Sequence, residues 1–247
     1  ARASRTRVGS ERTDLDVLLE SARAPHFRLT LTVCVLGLGY RVAVVSAQIA
    51  AAWRRAGDRR LPWAAVASAT ASWLLPVRLW RSRPFYSTAS VLFHFGVVVV
   101  PLFLAGHVAM LGGLAPTWWP VLPQEAADAI TIVAMVALVA LLVGRAGSSA
   151  SRVLTRGSDA FVLVVLLGLL LFGWWAANPA MSPFAARTML AFHIMLGNLA
   201  LIMVPTTKIA HCALMPFARL VFQLGWHFPA ETGRHVAQAL NKEGEPV

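Results

Sequence analysis

The chain has 247 residues, of which 57% are hydrophobic and 13% charged, with a formal net charge of +11. Soluble domains carry about 25% charged residues, so this composition excludes an ordinary soluble enzyme, and with it a collagen, a low-complexity disordered chain or a disulfide scaffold. A mean hydropathy of +0.65 places the chain among polytopic membrane proteins, and its arginines lie between apolar runs, where they set topology and no nucleic-acid partner is expected.

The first 26 residues form a polar, basic arm. Five stretches then have the length and hydropathy to cross about 30 Å of hydrocarbon. They are 27–52, interrupted by Arg41, then 86–111, 125–143, 159–177 and 187–215, the last with Pro205 inside it. None alternates with period two, so the expected class is all-α: a polytopic membrane helix bundle with five transmembrane helices. Between the first and second stretches, Trp63, Val66, Thr70, Trp73, Val77 and Trp80 recur at steps of three and four. That pattern predicts an interfacial helix over 61–80, because tryptophan favours the membrane surface.

Arginine counts predict the orientation. The connection 53–83 carries seven arginines and the loop 145–158 carries three, while 112–124 has none and 178–187 only Arg187. The arginine-rich loops are expected on the cytoplasmic side. Five spans then place the N-terminus outside and the C-terminus inside a bacterial or archaeal cytoplasmic membrane. The expected organisation is an extracytoplasmic arm at 1–26, a membrane domain at 27–219 and a cytoplasmic tail at 220–247. Cys34 and Cys212 lie apart in apolar stretches and form no CxxC motif, so they read as small buried hydrophobes.

Four of the seven histidines fall inside spans, and only in the second and fifth: His94 and His107, His193 and His211. An ionisable residue in a span is costly and marks function by default. These two spans have opposite parity, so they run antiparallel. His94 then lies level with His211, and His107 with His193. Each pair has the chemistry to hold one haem iron from both faces, imidazole nitrogen being a standard axial ligand. Thirteen residues separate His94 from His107 and eighteen separate His193 from His211, roughly 20 Å and 27 Å of helix. Eighteen residues is five turns, which puts His193 and His211 on one face. Thirteen leaves about 140° between His94 and His107 on an ideal helix, a strain that a kink at Pro101 would relieve. Gly96, Gly106 and Gly197 sit near these histidines, where either a flat macrocycle or ordinary helix packing needs close approach. For a single membrane histidine the competing explanation is a hydrogen-bonded core residue. No HxxxH or HExxH pattern points to a bare zinc or copper site.

The run Leu92-Phe93-His94-Phe95-Gly96 followed by Ala105-Gly106-His107 resembles the second helix of the respiratory nitrate reductase gamma-subunit family. Phe192-His193-Ile194-Met195-Leu196-Gly197, then Pro205 to His211 and Pro216-Phe217-Ala218-Arg219, resembles its last helix. The Thr-Lys-x-x-His pattern at 207–211 is closer to the membrane subunits of sulfite-reduction and heterodisulfide-reductase-like complexes. In nitrate reductase proper the first histidine pair is spaced more closely, so the resemblance does not carry nitrate as the substrate. It implies a dihaem cytochrome b with two haem b, the axial ligands being His94, His107, His193 and His211. Such a subunit exchanges electrons between the membrane quinone pool and an iron–sulfur partner, catalysis at the distal substrate lying on another subunit.

Lys208, Arg41 and Arg219 are candidate partners for haem propionates, with a snorkelling cation as the plainer role for Lys208. The resemblance places quinone at the outer haem, where Met110, Trp118, Trp119 and Arg187 are the candidate lining residues. The chain has no cysteine cluster for an iron–sulfur centre of its own and no nucleotide-binding fingerprint, so partner subunits are expected, with the basic 53–83 segment as a docking surface. Two rival readings stay open at this point. One is another bis-histidine cytochrome b anchor, of the hydrogenase or formate dehydrogenase type. The other is a haem-free transporter or assembly factor, a class in which broken helices are common.

Overall fold

The structure is a computed structural model that describes residues 25–55, 63–64, 67–68, 71, 77–111, 114–225 and 232–243. Ten α-helices run through them: α1 (Phe27–Arg55), α2 (Val77–Ser82), α3 (Pro84–Phe103), α4 (Ala105–Met110), α5 (Gln124–Gly147), α6 (Ser149–Leu154), α7 (Gly157–Ala177), α8 (Ala186–Thr206), α9 (His211–Gly225) and α10 (Thr232–Ala239). No strand occurs among the described residues. The protein is all-α, and α1, α3, α5, α7 and α8 are the helices long and apolar enough to cross a membrane. The basic arm lies outside the described residues, as does much of 61–80. Trp63, within that stretch, is helical and stacks on Trp53 with ring centroids 6.1 Å apart.

Contacts divide the chain into two compact units, one built from 1–34 and 79–203, the other from 35–78 and 204–247. In the first unit α5 is the central element. Ala127, Thr131, Ala134, Leu138 and Leu141 recur at steps of four and three and are buried, while Ile132, Val136, Val139 and Val143 are exposed on its other side. A helix apolar on both faces belongs in lipid, not at a protein surface in water. Glu125 in its first turn and Arg145 in its last match the helix dipole. Thr131 hides its hydroxyl by donating to the Ala127 carbonyl at 2.7 Å. The core gathers Phe93 of α3, Leu138 and Leu141 of α5, and Leu163, Leu167 and Leu170 of α7.

Small residues set the closest approach. A methyl group at Gly96 would come within 2.5 Å of Ala134 Cβ and 3.4 Å of the Ile130 carbonyl, so Gly96 brings α3 against α5 by helix packing. The start of α1 joins this unit through Thr30, whose hydroxyl lies 2.8 Å from Asn198 Oδ1. In the second unit, Gly37 of α1 lies against Pro205, which a Cβ would meet at 2.7 Å. The Arg41 guanidinium donates to the Thr207 carbonyl at 3.3 Å.

Two of the expected spans are not continuous. The second stops at Phe103, Leu104 turns to an extended conformation (φ −66°, ψ 130°), and α4 restarts at Ala105. Pro101 lacks the N–H that would continue the ladder, but the break falls three residues beyond it. The fifth stops at Thr206, Thr207 is extended (φ −118°, ψ −170°), a 3-10 turn covers Lys208–Ala210, and α9 begins at His211. The five-turn register between His193 and His211 and the 140° offset between His94 and His107 both assume a continuous helix, and neither applies across these breaks.

Close packing at Gly96 and open space at Gly144, where a methyl would find no atom within 4 Å, make a paired test. Gly96→Ala should cost about 1–3 kcal/mol through overpacking and lower the melting temperature in detergent. Gly144→Ala should leave it equal or slightly raised, as expected for alanine replacing glycine in a helix.

Candidate metal centre

The break at Leu104 leaves carbonyls that helix bonding no longer covers, and a membrane protein must satisfy them internally. Each finds a donor. Leu102 O accepts from the Trp119 indole N–H at 2.9 Å and Phe103 O from Leu122 N–H at 2.7 Å, while Val100 O keeps its helix bond from Leu104 N–H at 3.0 Å. Trp119 also stacks on Phe103, ring centroids 5.8 Å apart. The loop 114–123 is thereby strapped onto the end of α3. α4 starts from Leu104 O, which accepts from His107 N–H at 2.9 Å. The turn brings the His107 ring back over the break, and its Nδ1–H donates to Val100 O at 3.3 Å.

His193 lies in α8, beside α7. Its Nδ1–H donates to Leu169 O at 2.9 Å. The rings of His107 and His193 are nearly parallel, 17° between planes, with centroids 5.8 Å apart. An iron held between two imidazoles would also place the ring centres about 6 Å apart, from two metal–nitrogen bonds of about 2 Å and about 1 Å from each nitrogen to its ring centre. A carbonyl only accepts, so each Nδ1 carries the proton and each Nε2 keeps its lone pair, the tautomer that binds a metal. Among the described residues no group of three His, Cys, Asp or Glu side chains gathers around a metal position. Two imidazoles alone do not fill a zinc-type shell of four. They suit a metal that brings its remaining ligands with it, as iron in a macrocycle does.

Of the four expected ligands, the structure brings His107 and His193 together. His94 is exposed on α3 in the first unit, its Nδ1–H donating to Ser90 O at 2.7 Å and its ring edge-on to Phe93 at 5.3 Å. His211 is the first residue of α9 in the second unit, its Nδ1–H donating to Lys208 O at 2.7 Å. All four histidines thus place Nδ1 on a backbone carbonyl. Lys208 is exposed in the 3-10 turn, Arg41 is half-buried and bonded to Thr207 O, and Arg219 lies in α9.

At the other end, Met110 is half-buried at the close of α4 and Arg187 is exposed in the first turn of α8. Trp118 is 75% exposed. Trp119 holds the loop strap. Gly96 packs on α5, Gly106 has no atom within 4 Å of a methyl placed on it, and Gly197 meets only Leu169 Cδ1 at 3.8 Å. The glycine that touches a candidate ligand is Gly173 of α7, where a Cβ would lie 2.7 Å from both Nδ1 and Cε1 of His193. Sequence reasoning passed over it, along with the carbonyl partners Val100 and Leu169. A glycine beside Trp174 near a helix end carries no local mark of the ring packed on it.

Trp119→Phe should leave Leu102 O without its donor and cost about 1–3 kcal/mol, read as a lower melting temperature in detergent. Trp118→Phe, at an exposed ring, should leave that temperature unchanged.

A protein of Nitratidesulfovibrio vulgaris (strain Hildenborough) is 38% identical to this chain over 170 residues, which is 65% of this chain and 70% of the relative, and its name, "Protein", states no activity. No family model matches the chain. No solved structure matches it.

Proposed function

The chain belongs to the same family as this Nitratidesulfovibrio protein, and from the geometry of its histidines we propose that it is a dihaem b membrane subunit, carrying electrons between the quinone pool and an iron–sulfur partner subunit of a respiratory redox complex. The observation that carries the reading is the His107–His193 pair: near-parallel imidazoles, centroids 5.8 Å apart, each with Nδ1–H on a carbonyl. The second pair of the proposal, His94 with His211, rests on sequence register in antiparallel spans.

Bound haem b supplies a one-electron couple within the membrane. The chain's own residues hold and tune it. His107 and His193 present Nε2 from two elements of one unit. Val100 O and Leu169 O orient the rings and make them better donors. The apolar side chains of α7 beside His193 lower the dielectric around the site. Met110, Trp118, Trp119 and Arg187 are the proposed quinone contacts at the His107–His193 end. Lys208, Arg41 and Arg219 are the proposed propionate partners. The basic 53–83 segment is the proposed docking face for a partner subunit on the cytoplasmic side of a bacterial or archaeal membrane.

The two helix breaks favour a second reading, a transporter, since broken helices line many substrate paths by exposing carbonyls. Here the carbonyls of Val100, Leu102 and Phe103 all have internal donors, and Thr207 O accepts from Arg41 and from Ala210 N–H. Carbonyls so covered are not arranged to coordinate a passing ion.

The test is a pyridine haemochrome assay on the purified chain with its co-purifying partners, alongside oxidised and dithionite-reduced spectra. The expected result is about two b-type haems per chain, falling to about one in His107→Ala and in His193→Ala. A well-folded preparation that takes up no haem would overturn the reading.

A further inference from the structure

His193 differs from the other three histidines in where its Nδ1–H goes. His94 uses Ser90 O four residues back, His107 uses Val100 O seven back, and His211 uses Lys208 O three back. His193 reaches a separate membrane span, to Leu169 O in α7, 24 residues away in sequence.

A carbonyl inside a helix is hard to reach from the side. It already accepts from the N–H four residues on, and helical side chains lean toward the N-terminus, over the preceding turn. The side chain four residues after a carbonyl therefore covers it. Four residues after Leu169 stands Gly173. With no side chain there, the Leu169 oxygen is open to a neighbour, and the His193 ring fills the opening. A methyl on Gly173 would sit 2.7 Å from His193 Nδ1, 2.7 Å from Cε1 and 3.5 Å from Cγ. It would occupy the place of the ring, and the atoms it meets are not a flexible chain end but the ring that Leu169 O and the neighbouring His107 already orient.

We propose that Gly173 is a positioning residue: by uncovering the Leu169 carbonyl it holds His193 in the Nδ1–H tautomer, aims Nε2 toward the metal position and raises the electron donation of this ligand. The tautomer is a property of the chain alone. The effect on a bound iron rests on the haem reading above. An alanine at 173 pushes the ring off Leu169 O. The imidazole then loses its acceptor and becomes a weaker donor to iron. A weaker donor stabilises the ferric state less, so the potential of that one haem rises.

The test compares wild type, Gly173→Ala and Gly144→Ala, the last placing the same methyl in open space on α5. Histidine-selective ¹⁵N NMR of the haem-free full chain in nanodiscs reads the tautomer, with His193 assigned by its loss in His193→Gln. Wild type and Gly144→Ala should show His193 protonated at Nδ1, and Gly173→Ala should show a shift toward the Nε2–H form. In haem-loaded protein, Gly173→Ala should bind one of the two haems about 10–100-fold more weakly, the range seen when partners of metal-bound histidines are removed, and raise its midpoint potential while leaving the other unchanged. A wild-type His193 protonated at Nε2 overturns the proposal even if Gly173→Ala fails to fold. So does a Gly173→Ala chain with wild-type tautomer and potentials. A wild-type chain that binds no haem overturns the haem reading, and the tautomer result still decides the role of Gly173.

Discussion

The hydrogen bonds that close the break at Leu104 are the constraint on which the candidate centre depends. In hydrocarbon a broken helix is tolerated only where its freed carbonyls find internal donors. The Trp119 indole and Leu122 N–H supply them at Leu102 and Phe103. Because the break is sealed in this way, α4 can leave the line of α3, and His107 comes to lie against His193. Without the break, an ideal helix would hold His107 about 140° away from the face that carries His94.

The same economy governs the ligands. Each of the four histidines has a carbonyl on Nδ1, the arrangement that, on the proposed reading, turns Nε2 of a liganding histidine to the metal. At His193 the carbonyl comes from a neighbouring helix, and only a residue without a side chain at 173 leaves it reachable. On the proposed reading, one methyl-sized gap links the packing of α7 on α8 to the electronic character of an iron ligand. Sites held by such supporting contacts are sensitive to changes well away from the metal.

The five membrane helices were legible because about twenty apolar residues in a row have few other uses. Their cores at 27–52, 86–103, 125–143, 159–177 and 187–206 match the hydropathy reading closely. The breaks were not legible. Pro101 and Pro205 mark positions of weakness, yet where a helix actually parts is decided by which loop donors can reach the freed carbonyls. Trp119 and Leu122 sit sixteen residues or more beyond Phe103, out of range of any local rule. The pairing of His107 with His193 was legible from span parity, since antiparallel neighbours bring early and late residues level. Gly173 was not. The three glycines next to histidines in sequence drew attention, whereas this one meets its histidine across two helices, and only the packed structure shows the contact.

Whether His107 and His193 together hold one iron decides the proposed function. Electron paramagnetic resonance of the oxidised chain in which both His94 and His211 are replaced by alanine tests this directly, because only the one pair remains. The predicted result is about one haem per chain with the low-spin ferric signal of two axial imidazoles. A high-spin signal from a haem with one axial ligand, or a folded chain with no haem at all, would contradict it.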